Sequence, residues 1–420
     1  MKRLQVNSSA SKRLVSHNIH PTYNTNSDRF QIKSISFSGA GFLGVYHCGV
    51  YDCLLKHGHL LRPFERIPEC QEFDRRTLWS PPILTGVSAG ALISTAISCG
   101  VTPENAMSVC LDVAEQTQRQ GGILDVLKPG FSLIDTLERN FVSELKKALG
   151  GSGDSKVSTG TGAGAEEDHT DLDYDIDLLM NRIQNGRLLR IGLTDRTKVN
   201  LASLKSDLSA YVYVDQYRDI YDIVSAAILS SYIPIGTGPL SLQLAQQSNN
   251  LAISRAWERV KTMEQLGFLK HGESSLPVVR STATTDADSD YETRYIDGGI
   301  ANICPEIDNQ TLIVCPMNGA YGKHCIAPTR DIIDDEELDT VSNPDKDEVK
   351  SISNKLFNLT NSVIHISDRV KFGLNRENLL TAYLMARSSE SSLLEKRYRD
   401  GYDDAHRYLN EHNLLTVFTK

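Results

Sequence analysis

The fold is decided by the stretch ILTGVSAGALISTAISC at residues 83–99. Residues 83–86 form an apolar run short enough for a buried strand, and residues 89–99 form one long enough for a buried helix. Ser88 stands at the turn between them, and Gly86 and Gly90 relieve backbone crowding on either side. The sequence therefore predicts a strand, a tight turn and a helix, with Ser88 at the turn.

The same plan occurs once earlier in the chain. Residues 32–37 predict a strand and residues 42–57 an apolar helix, joined by Ser38-Gly39-Ala40-Gly41. Further runs predict strands at 187–194, 210–214, 295–296 and 312–315 and a helix at 219–231. Alternating strands and helices indicate an α/β fold, a three-layer sandwich whose central sheet is mostly parallel with helices on both faces.

Composition divides the chain into four parts. Residues 1–30 read as a tail, either disordered or targeting, and residues 31–330 as the main globular domain. Polar tracts predict insertions in that domain at about 150–172 and 241–293, the second with a helix near 252–266. Residues 331–350 predict an acidic linker and residues 351–420 a helical C-terminal segment.

Charge and hydropathy exclude several classes of protein. A net charge of -9 argues against a general nucleic-acid binder, and no run of eighteen apolar residues predicts a membrane span. Eight scattered cysteines without metal-ligand spacing predict buried, reduced thiols. We therefore expect a globular protein in the cytoplasm, while serine-rich and basic residues 1–27 leave organelle import open.

Two glycine motifs carry chemistry. Gly86-Val87-Ser88-Ala89-Gly90 matches the nucleophile elbow, in which a serine hydroxyl projects from a strained turn. Gly39-Ala40-Gly41-Phe42-Leu43-Gly44 leads from a strand into a helix, where backbone N–H groups can stabilise an oxyanion. The alternative for this second motif is a dinucleotide-binding loop, with Glu65 as the ribose-binding acid.

A third motif supplies an acid. Asp297-Gly298-Gly299 follows the predicted strand at 295–296, and its glycines allow the backbone to approach the elbow closely. Such a turn is common by itself, but the three motifs in this order are specific.

With these motifs the chain resembles the patatin-like phospholipases, whose oxyanion loop, serine elbow and Asp-Gly-Gly turn it matches. Within that family it is most similar to the adipose triglyceride lipase and adiponutrin branch, over roughly residues 32–318. The segment ISFSGAGFLGVY at 35–46, the stretch YIPI at 232–235 and RYIDGG at 294–299 carry the likeness. A weaker likeness covers YRDGYDDA at 398–405.

The resemblance implies a Ser-Asp dyad, with Ser88 as nucleophile and Asp297 as base. It implies that Gly39, Ala40, Gly41 and Gly44 form the oxyanion loop, with the amides of Ala40 and Gly41 as donors. It implies that Gly86, Gly90, Gly298 and Gly299 support the two turns, and that neither metal nor cofactor is needed. A triad remains the alternative, with His324 or His365 as base and His47 as a third histidine that could approach the site.

The resemblance also implies a lipid substrate. We expect a triacylglycerol lipase that acts on a glycerolipid while bound peripherally to a lipid droplet or membrane, with no nucleic acid partner. Phospholipase A, lysophospholipase or acylglycerol transacylase activity would use the same residues, and a weakly active lipid-binding regulator is an alternative of another class. Ser38, Asp195 and Asn302 are candidates for supporting roles, and the apolar residues 379–385 could meet either lipid or the core.

Overall fold

The computed structural model describes most of the predicted globular domain and its C-terminal segment. The described residues are 32–60, 82–119, 133–149, 180, 183, 189–199, 208–234, 237, 251–272, 276–278, 294–321, 324–328, 363–365, 370–373, 376–386 and 389–415. The predicted N-terminal tail, the insertion at 150–172, the acidic linker and Glu65 lie outside them. No helix in these ranges is both long and apolar enough to cross a membrane.

Eleven strands and eight α-helices are used below. The strands are β1 (Ser34–Phe37), β2 (Ile83–Gly86), β3 (Leu189–Asp195), β4 (Tyr211–Val214), β5 (Leu269–His271), β6 (Tyr295–Asp297), β7 (Leu312–Val314), β8 (Gly319–Tyr321), β9 (Cys325–Ile326), β10 (Val363–His365) and β11 (Val370–Gly373). The helices are α1 (Gly44–Lys56), α2 (Ala89–Ser98), α3 (Pro103–Arg119), α4 (Leu133–Leu149), α5 (Ile220–Ser230), α6 (Leu251–Gln265), α7 (Arg376–Ala386) and α8 (Ser391–Glu411).

The main sheet is mixed, with a parallel half. Its order is β5-β4-β3-β2-β1-β7-β9. All neighbours from β3 to β9 are parallel, whereas β4 and β5 are antiparallel to their neighbours. The predicted α/β sandwich is confirmed, and its parallel character holds for the half of the sheet that carries the two glycine turns.

Both faces of this sheet are covered. Every residue of β1 is buried, including Ser34 and Ser36 as well as Ile35 and Phe37. Successive side chains of a strand point to opposite faces, so burial of all four requires helices on each side. The predicted three-layer arrangement follows from this burial.

Strand β6 occupies the position on β3 that β2 leaves vacant. Strand β2 pairs with β3 as far as Gly86, opposite Ile191, and β6 pairs antiparallel with the next part of β3, with Asp297 opposite Leu193. The ends of β2 and β6 therefore face each other along one edge of β3. This brings the turns after Gly86 and Asp297 together, although they are far apart in sequence.

The described part of the predicted insertion at 241–293 is built into the fold. Helix α6 packs on α5 and buries Ala252, Ile253, Trp257, Val260 and Met263, and β5 extends the main sheet beside β4. The apolar residues of α6 recur at helical spacing and so form one face, and this face is buried in the core.

The C-terminal segment is not wholly helical, which corrects the prediction for residues 351–420. Strands β10 and β11 form a second, antiparallel sheet with β8, and the first helix among the described residues of this segment begins at Arg376. The sequence of β10 and β11 contains valine, isoleucine and phenylalanine, which favour strands once a partner strand is available.

Helix α8 lies directly against α1. A Cβ at Gly49 would lie 1.9 Å from the carbonyl oxygen of Tyr398, and one at Gly401 would lie 2.1 Å from that of Tyr46. The Tyr46 hydroxyl donates to the buried Asp404 carboxylate at 2.9 Å. The C-terminal helix is therefore packed against the same helix that follows the first glycine loop.

Candidate active site

Ser88 lies on a strained turn between β2 and α2. Its φ of 54° and ψ of -130° belong to a region that non-glycine residues rarely adopt. A Cβ at Gly86 would lie 2.3 Å from the Gly90 carbonyl oxygen, and one at Gly90 would lie 2.1 Å from that of Phe37. Both glycines are thus required by close backbone contact, as the elbow motif predicts.

The backbone of the elbow is fixed by Ser230, which the sequence analysis missed. The Ser88 N–H donates to the Ser230 carbonyl at 3.1 Å and to its hydroxyl at 3.0 Å. The Ser230 hydroxyl in turn donates to the Gly192 carbonyl at 2.6 Å. A buried serine that follows the apolar run Ala226–Leu229 at the end of helix α5 was the available signal.

A second network fixes Asp297 at the end of β6. Its N–H donates to the Tyr232 carbonyl at 2.9 Å, and its carbonyl accepts the Thr194 hydroxyl at 2.6 Å. The same hydroxyl oxygen accepts the Ala301 N–H at 3.1 Å, which ties both sides of the Asp-Gly-Gly turn to β3. A Cβ at Gly298 would lie 2.3 Å from the Gly192 carbonyl oxygen, so this position also requires glycine.

The carboxylate of Asp297 is suited to accept a proton. It is only 3% exposed, and Oδ1 accepts the Gly299 N–H at 2.7 Å. Oδ2 has no hydrogen-bond partner among the described residues. Burial raises the pKa of Asp297 to about 7, although the neighbouring Ser88 hydroxyl and the Gly299 N–H act to lower it. An acid with this pKa is an effective general base near neutral pH.

The first glycine loop lies beside the elbow. A Cβ at Gly39 would lie 3.6 Å from that of Ser88, and one at Gly44 would lie 3.4 Å from that of Ala89. The Gly39 N–H donates to the Ile303 carbonyl at 3.0 Å, and the Gly44 N–H donates to Gly41. These two N–H groups are already engaged, whereas the predicted oxyanion donors, the amides of Ala40 and Gly41, lie at the start of a 3-10 turn.

The two candidate histidines whose side chains are described, His47 and His324, contact groups other than Asp297. His47 Nε2 bonds the Ser38 carbonyl at 2.9 Å, and burial lowers the His47 pKa to about 4, so this ring is neutral at pH 7. His324 Nδ1 lies 3.2 Å from the Tyr408 hydroxyl on α8. The groups that shift the pKa of Asp297 include no histidine from the described part of the chain. The side chain of His365 lies outside the described residues.

The three candidate supporting residues make hydrogen bonds near the ends of β1, β3 and β6. Asp195 accepts from Arg294 at 2.6 Å and from the Thr197 hydroxyl at 2.6 Å, which joins β3 to the start of β6. The Asn302 Oδ1 accepts the Cys304 N–H at 3.2 Å, and the Ser38 hydroxyl donates to the Gly39 carbonyl at 3.2 Å. These contacts shape the turns around the site.

An α/β sandwich with a serine elbow, a buried acid and a glycine loop defines a class of acyl-transferring enzymes, and comparison with known proteins specifies the family. The protein-family model described as "Patatin-like phospholipase" matches residues 35–307. The chain belongs to the patatin-like phospholipase family. This favours an acyl-transfer role for the glycine loop over the dinucleotide alternative.

Individual relatives are similar over different parts of the chain. Human "1-acylglycerol-3-phosphate O-acyltransferase PNPLA3" is 34% identical over 70% of this chain and 39% of its own length. The rat "Patatin-like phospholipase domain-containing protein 2" is 33% identical over 25% of this chain and 18% of its own length. The alignments thus span less than half of either relative. The solved structure of VipD from Legionella pneumophila covers 91% of this chain and 67% of its own, at 13% identity and a TM-score of 0.34.

Proposed function

We propose that the protein is a serine acyl hydrolase of glycerolipids, with triacylglycerol as its preferred substrate. The observation that carries this proposal is the buried Asp297, with its raised pKa and with an Oδ2 that no hydrogen bond from the described residues reaches, beside the strained Ser88. The resemblance to the adipose triglyceride lipase branch supports the choice of substrate.

In the proposed reaction Asp297 removes the hydroxyl proton of Ser88 as Oγ attacks the ester carbonyl carbon. The tetrahedral oxyanion accepts hydrogen bonds from the Ala40 and Gly41 amides. As the intermediate collapses, protonated Asp297 returns its proton to the leaving alcohol oxygen and an acyl-enzyme remains. Water, deprotonated by Asp297, then releases the fatty acid by the same steps in reverse.

Acyl transfer to a second glycerolipid is the alternative function. The human relative that aligns with 70% of this chain is named as an acyltransferase. In that reaction an acceptor hydroxyl replaces water in the second half, with the same residues in the same roles. A phospholipase A or lysophospholipase would differ only in the lipid that forms the acyl-enzyme.

Because these lipids are insoluble, we also propose that the protein binds peripherally to a lipid droplet or membrane in the cytoplasm. Residues 1–27 leave organelle import as the alternative. Imaging of the full chain with and without residues 1–27 tests this location, and colocalisation with an organelle lumen would contradict it.

The activity is tested by fatty-acid release from emulsified triacylglycerol and from phosphatidylcholine vesicles. Ser88→Ala and Asp297→Asn should abolish release, while His324→Ala should retain it. Adding a lysophospholipid acceptor to the same assay measures transfer against hydrolysis. An active Asp297→Asn protein or an inactive, folded His324→Ala protein would overturn the dyad, and a stronger signal from phosphatidylcholine would overturn the lipid preference.

A further inference from the structure

Helix α7 lies outside the residues that the family model matches, yet its last turn contacts the glycine loop. A Cβ at Gly41 would lie 2.0 Å from the Met385 carbonyl oxygen, and Gly41 has a φ of 51°. The α7 backbone therefore lies against one of the two predicted oxyanion donors. Because the two backbones are in direct contact, a shift of α7 would alter the packing around the Gly41 peptide.

The apolar side of α7 packs against both the glycine loop and the start of α2, directly after Ser88. Leu380 and Leu384 form one cluster with Ala40 and Leu43 of the glycine loop and with Ala89, which follows Ser88. Leu384 is 2% exposed. This cluster connects the residue next to the nucleophile with the loop that is predicted to bind the oxyanion.

A polar contact anchors the first half of α7. The Asn378 Oδ1 accepts the Asn318 N–H at 2.8 Å, and its Nδ2 donates to the Asn318 carbonyl at 2.5 Å. Asn378 is buried, and Asn318 lies between β7 and β8, directly before β8. The helix is thus tied to the segment that joins the two sheets at one end and to the glycine loop at the other.

From this arrangement we propose that α7 positions the oxyanion loop and that Leu384 is the positioning residue. The inference rests on the proposed acyl-transfer chemistry and extends the catalytic unit beyond residues 35–307. Leu384 touches no reacting atom and acts through Ala40 and Leu43, which it packs into place. Oxyanion stabilisation depends steeply on donor position, so loosening this packing should slow the chemical step more than it weakens binding.

The test uses full-length protein and a monomeric p-nitrophenyl butyrate substrate, so that lipid-surface binding does not enter. Leu384→Ala should lower kcat by about 10-fold or more, because misplaced donors stabilise the transition state less, with KM changed by less than about twofold. Leu384→Met, which conserves volume, should keep kcat near that of the wild type.

Leu269→Ala on β5 is the matched control, because it also truncates a fully buried leucine and lowers the melting temperature for the same reason. It should leave kcat within about twofold of the wild type at a temperature where all variants are folded by circular dichroism. Equal kcat values for the two alanine variants would overturn the positioning role. A higher kcat for Leu384→Ala would also overturn it and would identify α7 as a cover over the site. Absence of Ser88-dependent turnover in the wild type would instead overturn the proposed hydrolase function.

Discussion

Burial of a single carboxyl group sets the expected pH dependence. Asp297 must be deprotonated to act as base, and its pKa is raised to about 7 by burial. We expect kcat/KM for a short-chain ester to rise about tenfold per pH unit below that pKa and to level off above it. Rates measured from pH 5 to 9, corrected with Ser88→Ala protein, test this. A flat profile across pH 7 would contradict the assignment of the base.

The same pKa shift affects stability with a definite sign. The folded pKa of Asp297 lies above the ordinary aspartate value of 3.8, so the folded state binds the proton more tightly and loses stability as pH rises from about 4 to about 7. Asp297→Asn removes this pH-dependent loss. The unfolding free energy of the variant minus that of the wild type should therefore increase across that window, by on the order of 4 kcal/mol. Urea unfolding at pH 5 and pH 8 measures it. An equal effect at both pH values would contradict the raised pKa.

The strain at Ser88 also predicts a difference between two inactive variants. Glycine adopts a φ of 54° without steric cost, whereas alanine retains the strain of serine. We expect Ser88→Gly to be more stable than Ser88→Ala by about 1 kcal/mol. Urea unfolding midpoints of the two proteins measure this difference. Equal midpoints would contradict the prediction and would mean that the turn relaxes to an unstrained backbone in Ser88→Ala.

At the scale of elements, the crossing of α1 and α8 depends on glycine. In an open helix, replacing glycine by alanine stabilises by about 0.5–1 kcal/mol. A Cβ at Gly401 would instead meet the Tyr46 carbonyl oxygen at 2.1 Å, so Gly401→Ala should destabilise by about 1–3 kcal/mol through overpacking. The sign of the change in unfolding free energy is the test, and a stabilised protein would show that the two helices can separate without cost.

Elements were predicted well where the apolar pattern was strong. Strand β2 and helices α1, α2 and α5 lie where their runs of apolar residues indicate, because fully buried elements carry continuous signals. Strands β10 and β11 were missed because the small sheet that they form also needs β8, which is distant in sequence and pairs with β11. Ser230 and Thr194 were missed for the same reason, since their partners are backbone groups of other elements.

At the scale of the whole molecule, the C-terminal segment belongs to the core. Helix α8 buries Leu394, Ala405, Tyr408 and Leu409. A chain ending at residue 350 would expose the face of α1 that α8 covers, and we expect it to aggregate rather than fold. Size-exclusion chromatography and circular dichroism of the shortened and full chains measure this. A monomeric, cooperatively unfolding shortened chain would contradict it.

The sequence by itself determined the α/β class and the three motifs, and it predicted Ser88 and Asp297 as the catalytic pair. These features are local, because an elbow or a glycine turn needs particular residues within a few positions of one another. Only the tertiary structure decided that β6 continues along β3 where β2 ends, and that burial gives Asp297 its raised pKa. Only the structure placed α7 on the glycine loop. Strand register, desolvation and helix packing depend on residues far apart in the chain, so no local pattern encodes them.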